Sequence, residues 1–446
     1  MRVLAIDVGT SNTAAMVRTP DGRHRALLFD GAPLMPSAVY LTPGGASEGR
    51  LLVGRDAERH ARLDPGRFEP SPKRRVDDGE VLLGDAEVPV ARLFGAVLER
   101  VSAEAHRVLG GPPHEVRLTH PARWAQRRRD VLLAAARLAG LPEPRLVPEP
   151  VAAASYFTAV LGATVPVGRC LAIYDLGGGT FDATVVRRTP HGFDVLAEDG
   201  LADVGGLDFD QAIVAHLGRT VAADSPQWTA LLAPGDAAGR RARRTLYDDV
   251  RAAKEMLSRT ASADIPLPVL DIEAHLTRPE LEALVRPYLR RTVSCLSRAL
   301  ATAGLAAPQL AGIFLVGGSS RIPLAAHLIH SELGLAPTTL EQPETVVVQG
   351  ALTILPPAPS APPPPPVAPP PVVSAPPVSP PPVATVPPGS VSPAYPRSPV
   401  VPVSAGVPPV AAYPAVRRQD PVRTATFVML ALVLLAVAVL IGLLAS

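Results

Sequence analysis

Asp175-Leu176-Gly177-Gly178-Gly179-Thr180-Phe181-Asp182 is the stretch that decides how this chain is read. An apolar run, residues 170–174, leads into it, and Ala183-Thr184-Val185-Val186 leads out. The pattern predicts strand, tight glycine turn, strand. Three glycines strip the turn of Cβ atoms, so its N–H groups can come close to an anion. An acid stands on each side and a hydroxyl, that of Thr180, follows the glycines. That set fits a bound phosphate whose charge is balanced by a metal ion held between oxygens. A plain glycine hairpin is the alternative if the stretch stands alone.

The N-terminus repeats the design. Val3-Leu4-Ala5-Ile6 is a short apolar strand, followed by Asp7-Val8-Gly9-Thr10-Ser11-Asn12 and then by Ala14-Ala15-Met16-Val17. Asp7 and Asp175 are 168 residues apart, about one domain's length. Two phosphate turns at that spacing point to a duplicated domain closing on one nucleotide from both sides.

These two stretches resemble the phosphate motifs of the actin-like ATPase superfamily. Thr180-Phe181-Asp182 makes the second similar in wording to that of the Hsp70 chaperone family. The resemblance covers residues 1 to about 355. It implies an α/β fold of two ribonuclease H-like lobes around ATP or ADP. Mg2+ would be held by Asp7 and Asp175, with K+ as a further cation to consider. Gly9, Thr10, Ser11 and Asn12 would cradle phosphate from one side, and Gly177, Gly178, Gly179 and Thr180 from the other.

The chain has 446 residues, enough for two or three lobes or domains, and a formal charge of +2. Such a balance supplies no bulk field toward nucleic acid. Lysine occurs only at Lys73 and Lys254, and the remaining 41 basic residues are arginine. A compact ammonium does what a guanidinium cannot at a tight phosphate or sugar contact, so both lysines are candidates for chemistry. Cys170 and Cys295 are too few and too far apart for a disulfide framework or a zinc site, and are expected as packed thiols. The first strand begins directly after Met1, with no signal peptide, so the folded part is expected in the cytoplasm.

Residues 25–29 and 37–41 read as strands, with glycines and Pro33 as punctuation. Lys73 follows Phe68-Glu69-Pro70-Ser71-Pro72, where the family has a catalytic lysine that would stabilise charge on the transferring phosphoryl group. A solvated basic run, Lys73-Arg74-Arg75, is the other reading. Residues 90–109 show helical spacing, 115–121 form a short strand ending at Pro121, and 126–140 form an amphipathic helix with Gly140 as its stop. In the family that proline lies in the interlobe hinge. The residues after it, Ala122-Arg123-Trp124, depart from the family's aromatic pattern.

Glu149-Pro150 opens an alanine-rich helix. The resemblance makes Glu149 a carboxylate that orients the attacking water, whereas an acid in the first turn is also an ordinary cap. Asp203-Val204-Gly205-Gly206-Leu207-Asp208-Phe209-Asp210 opens another helix, with Gly205 and Gly206 placed to turn N–H groups toward a phosphate and the acids suited to the helix dipole. On the helix expected over 244–260, Lys254 and Ser258 share a face and match the family's ribose and adenine contacts. Arg251 stands where the family has an acid, and Glu255 where it usually has a basic or long residue. A solvated amphipathic face is the plain reading of that helix. The strand and turn Ile313-Phe314-Leu315-Val316-Gly317-Gly318-Ser319-Ser320-Arg321 look like the family's adenosine motif, with Gly317, Gly318 and Ser319 admitting the nucleoside and Arg321 stacking on the base. Glu344, before the last helix, replaces the family's aspartate.

The family's β-rich peptide-binding domain is expected to begin near residue 360. Residues 356–421 instead hold 26 of the 53 prolines and a single acid, Asp420. This composition predicts a disordered, largely polyproline II linker over 356–422, reaching on the order of 200 Å at about 3.1 Å per residue. Residues 425–445 carry no charge, and such a run of about 31 Å matches a bilayer core. Arg417, Arg418 and Arg423 precede it, which orients a single-pass C-terminal anchor with the ATPase domain in the cytoplasm.

The expectation is an Hsp70-like ATPase domain, residues 1–355, tethered to a membrane and working with an unidentified protein partner or client, co-chaperone-like in kind. Asp7 and Asp175 hold the metal, Lys73 stabilises the leaving charge, and Glu149 and Asp182 order water and metal. A non-catalytic ATP- or ADP-binding scaffold that recruits partners at the membrane is the alternative. A small-molecule kinase on the same fold is a weaker third reading, because no acceptor site with its own base is evident.

Overall fold

Val3–Val8 is a strand with two apolar faces. Leu4 and Ile6 enter the core of the first lobe, whereas Val3 and Ala5 enter a core shared by both lobes, as the two-residue period of a strand requires. Cys170–Leu176 divides in the same way. Cys170, Ala172 and Tyr174 face the core of the second lobe, and Leu171 and Ile173 face the shared one. These details come from a computed structural model that describes residues 1–44, 49–220, 225–267 and 270–354.

Each of the two strands lies inside a matching sheet. In the first, Arg145–Pro148, Glu115–His120, Val3–Val8, Asn12–Arg18 and His24–Ala26 lie side by side. In the second the order is Leu310–Val316, Cys170–Leu176, Phe181–Thr189, Gly192–Leu201. In both, the apolar strand pairs antiparallel with its successor and parallel with a strand that returns much later. A parallel return needs a long crossover, and the helices Val90–Leu109 and Arg278–Thr302 lie in the two crossovers. The duplication is therefore one of topology as well as motif. The result is a mixed α/β fold consistent with an actin-like ATPase domain.

Two helices, Glu149–Ala159 and Val346–Thr353, fill the shared core. A Cβ on Gly350 would lie 1.8 Å from the Ala152 carbonyl oxygen, so the helices can cross here only because that residue is glycine. Phe157 stacks on Phe314 beside the crossing. Arg117, in the strand Glu115–His120, is fully buried. Its Nη1 donates to the carbonyls of Ala351, Leu352 and Ile354 at 2.6–3.1 Å, and its Nε to Glu115 at 2.7 Å. The guanidinium thus satisfies carbonyls at the end of the helix Val346–Thr353, which have no partner inside that helix.

The helix expected over 90–109 has those bounds and stops at Gly110, whose φ of 65° suits glycine. The helix expected over 244–260 begins earlier, at Ala237, because the Asp236 side chain accepts the Gly239 N–H and caps it. The strand expected over 25–29 is confined to His24–Ala26. Both cysteines are buried free thiols, as expected. The proline-rich stretch 356–422 and the apolar stretch 425–445 lie outside the described residues. Among the described residues no helix is long and apolar enough to cross a membrane.

Candidate functional site

The two hairpin turns meet tip to tip. In the first, the Gly9 N–H donates to Asn12 O at 3.0 Å, and a Cβ on Gly9 would lie 2.4 Å from that oxygen. The Ser37 hydroxyl donates to Gly9 O at 2.8 Å and fixes the loop from behind. In the second, the Gly177 N–H donates to Thr180 O at 3.1 Å. A Cβ on Gly178 would come 2.2 Å from the Ser11 Oγ, and one on Gly179 would come 2.6 Å from Thr10 Cγ2. The glycines are thus needed for the lobes to close on one another, beyond their freedom at a turn.

A cavity of about 300 Å³ opens between these turns. Every residue named from the sequence as a catalytic, metal or nucleotide candidate lines it except Gly179 and Gly205. Those two pack against each other, since a Cβ on Gly205 would lie 2.7 Å from the Gly179 backbone. The helix Gly206–Thr220 starts against the hairpin, with the N–H groups of Gly206 and Leu207 donating to Gly177 O and Gly178 O at 3.1 and 2.8 Å. This differs from the expectation that the Gly206 N–H faces a phosphate. The Gly206 and Leu207 donors are spent on the hairpin carbonyls and brace the turn instead.

At the end of the cavity where phosphate is expected, four carboxylates and one ammonium lie together. Lys73 lies in the 3-10 turn Pro72–Arg75, and its Nζ donates to Glu149 Oε1 at 2.9 Å. The ammonium also lies over the Trp124 ring, 5.7 Å from its centroid. Lys73 therefore does not belong to a solvated basic run. Glu149 is the first residue of its helix, and its Oε1 pairs with Lys73. Thr119 Oγ1 donates to Asp7 Oδ1 at 2.7 Å.

The electrostatics record an excess of negative charge. Burial raises the Asp7 carboxyl above its ordinary range, against the pull of Lys73 and Thr119. Asp175 is pushed well above that range, by burial first and then by repulsion from Glu149, Asp182 and Asp7. Burial carries Glu149 up to about 7, opposed only in part by Lys73. Burial also works against the Lys73 charge, yet attraction to Glu149 and Asp7 outweighs it and holds the ammonium above an ordinary lysine. Crowded hard oxygens that resist ionising fit a divalent cation such as Mg2+, which would relieve the repulsion. Asp7 and Asp175 both line the cavity here, and among the described residues no cluster of three or more acids, histidines or cysteines forms a ready-made metal site.

Gly317 crosses over Asp175 from the second sheet's edge strand. Its φ is 82°, and a Cβ there would lie 2.6 Å from Asp175 Oδ1. Lys254 donates to Gly206 O at 2.8 Å and pairs with Asp210 Oδ1 at 2.6 Å. Arg251 approaches the same carboxylate at 3.6 Å. Arg321 donates to Glu344 Oε2 at 3.1 Å and to Glu341 O. Ser258 is the C-cap of the helix Ala237–Leu257, and its hydroxyl donates to Glu255 O. The side chains of Lys254 and Arg321 are therefore held by the protein itself, in position at the cavity wall.

Sequence reasoning passed over Arg74, Thr119, Arg123 and Asp210. Arg74 donates to Gly179 O at 3.1 Å and pairs with Asp208 at 3.3 Å. Arg123 Nε donates to Asp182 Oδ1 at 2.7 Å. Asp182, expected to order water and metal, thus has one oxygen committed to an arginine. The departure at residues 122–124 was the available signal for Arg123. No spacing linked it to Asp182, 59 residues away.

Two matching α/β lobes that bring glycine hairpins together beside a cluster of carboxylates are consistent with the actin-like ATPase class. The family model described as Hsp70 protein matches residues 80–355. A chaperone protein HscA homolog of Bordetella petrii is 33% identical over 374 residues, 78% of this chain and 57% of that protein. The HscA homolog of Bordetella pertussis is 36% identical over 378 residues, with the same coverage. A chaperone protein DnaK of Elusimicrobium minutum is 31% identical over 353 residues, 75% of this chain and 54% of its own length. The chain belongs to the Hsp70 family. It spans a little over half the length of the curated relatives it matches.

Proposed function

We propose that residues 1–355 bind ATP with Mg2+ between the two hairpins and hydrolyse it, with water attacking the γ-phosphate. The observation that carries this reading is the tip-to-tip approach of Thr10 and Ser11 to Gly178 and Gly179 beside Lys73 and four carboxylates. Mg2+ on Asp7 and Asp175 supplies charge neutralisation for the triphosphate when bound. Lys73 stabilises charge developing on the transferred group. Glu149, titrating near neutrality, accepts a hydrogen bond from the attacking water and orients it. Thr10, Ser11, Asn12 and residues 177–180 hold the phosphates, and Gly317, Gly318 and Ser319 admit the nucleoside.

The same reading places the domain on the cytoplasmic side of a membrane, anchored through residues 425–445 by the proline-rich stretch. The charge-free run and the arginines before it support this. Family membership supports a protein partner or client, and its meeting the chain at the membrane rests on the charge-free run alone. The test is ATP turnover by the full-length chain in detergent. Lys73→Ala and Asp175→Asn are each expected to lower turnover by about 10²-fold or more. Unchanged turnover in either variant would overturn the mechanism.

A second reading has one observation in its favour: Lys254, Arg251 and Arg321 are engaged with protein carboxylates. In this reading the chain is a non-catalytic scaffold that binds ATP or ADP and presents a changed surface at the membrane. Tight equilibrium binding with no phosphate release in a single turnover would select it.

A further inference from the structure

The second hairpin sets Asp175 directly opposite Asp182 on the ladder. At the matching place in the first hairpin, Asp7 faces Ala14. Like charges directly opposite on a sheet repel, and here the repulsion is met from the other lobe. The turn after the strand Glu115–His120 sends Arg123 across the cleft, and its Nε donates to Asp182 Oδ1 at 2.7 Å. On its other side Asp182 is in register with Gly200. A Cβ on Gly200 would fall 2.6 Å from the Arg123 Cζ, so the guanidinium lies in a slot that only glycine leaves open. The next residue, Trp124, lies under the Lys73 ammonium. One short turn thus seats a fixed cation on Asp182 and supports the mobile-stemmed cation that pairs with Glu149.

The charges around the phosphate end can be counted. Asp7, Glu149, Asp175 and Asp182 are four carboxylates, and Lys73 and Arg123 are two cations. With every group ionised, as a bound divalent ion would favour, two negative charges remain before the nucleotide's own charge is counted, and one such ion would offset them. Without Arg123 three would remain, and one divalent ion would leave the site short of a positive charge.

We propose that Arg123 is a built-in monovalent cation of the nucleotide site. It holds Asp182 neutralised and in place, so that nucleotide binding with one Mg2+ does not depend on a dissolved monovalent ion. This rests on the nucleotide-binding reading above. Arg123 is a positioning residue, because it acts on Asp182 and touches no reacting atom.

The experiment is calorimetric titration of the full-length chain in detergent with ADP and Mg2+, in K+, Na+ and choline buffers of equal ionic strength. The wild-type affinity is expected to agree across the three within about twofold. Arg123→Ala is expected to lose about tenfold or more in choline, because Asp182 then faces Asp175 with no cation beside it. Added K+ or guanidinium is expected to restore it in part. Arg123→Lys keeps the charge and is expected to keep the indifference. The double variant Arg123→Ala with Asp182→Asn returns the site to two excess negative charges and is expected to become indifferent again. A packing role alone would not produce that recovery. A wild-type chain that loses about tenfold in choline overturns the proposal, as does an Arg123→Ala chain as indifferent as the wild type. Wild-type binding absent in every buffer would overturn the nucleotide reading itself, and the proposal with it.

Discussion

Glu149 is an acid whose environment resists its ionisation, and that has a measurable sign. Burial holds its carboxyl at about 7, above the 4.5 of a free glutamate. Between those values the folded chain binds more protons than the unfolded chain, so stability falls as pH rises through that window and levels off above it. Asp7 and Asp175 are raised as well and act in the same direction. The nucleotide-free chain is therefore expected to show a falling denaturant midpoint from pH 5 to pH 8, with a smaller fall in Glu149→Gln. Equal slopes for the two would show that Glu149 is not the titrating group. At this scale the sequence was legible where residue usage was extreme. Lys73 stood out because the chain otherwise uses arginine, and the structure pairs it with Glu149. Arg123 and Asp182 were illegible as a pair, because the contact is made by bringing two lobes together, and no local period encodes it.

The helix Val346–Thr353 is held by two devices at its C-terminal half, one steric and one electrostatic. Gly350 lets it touch the Ala152 carbonyl, and Arg117 ties its last carbonyls. Gly350→Ala forces backbone against backbone, where no rotamer change gives relief. It is expected to cost about 3 kcal/mol or more, at the upper end for overpacking. Arg117→Met keeps the volume but leaves carbonyls and Glu115 without their donor, and is expected to cost about 3 kcal/mol. Urea denaturation of the full-length chain checks both, and midpoints within error of the wild type would refute the assigned roles. Helices and strands were largely legible at this scale, because apolar period and glycine stops lie within each segment, as in Val90–Leu109. The early start at Ala237 was missed because a single capping aspartate outweighed the weak apolar pattern of the first turns. Arg117 was missed because an arginine inside a strand gives no sign of whether it faces water or a helix end.

Across the whole molecule, the two hairpins belong to separate lobes, so anything bound between them is bound by the closed arrangement. Linkage then predicts stabilisation by about 2.7 kcal/mol when ADP with Mg2+ is present at a hundredfold excess over its dissociation constant. Thermal unfolding with and without nucleotide measures it, and no rise in midpoint at saturating ligand would contradict the clamp. The repeat at 168 residues made the duplicated lobes legible from the start, because each copy carries its own turn chemistry. The shared core was not legible. Its residues alternate along strands with those of the lobe cores, and only the assembled sheets sort one set from the other. The two buried thiols have a practical consequence. Burial, followed by the nearby Asp199 carboxylate, raises Cys295 to about 12, and Cys170 lies inside a strand of the second sheet. Neither should react with a maleimide dye in the native state. Reporter cysteines placed one on each rim of the cleft would therefore be the only two labelled positions, and fluorescence transfer between the two dyes could follow opening and closing without first engineering a cysteine-free background.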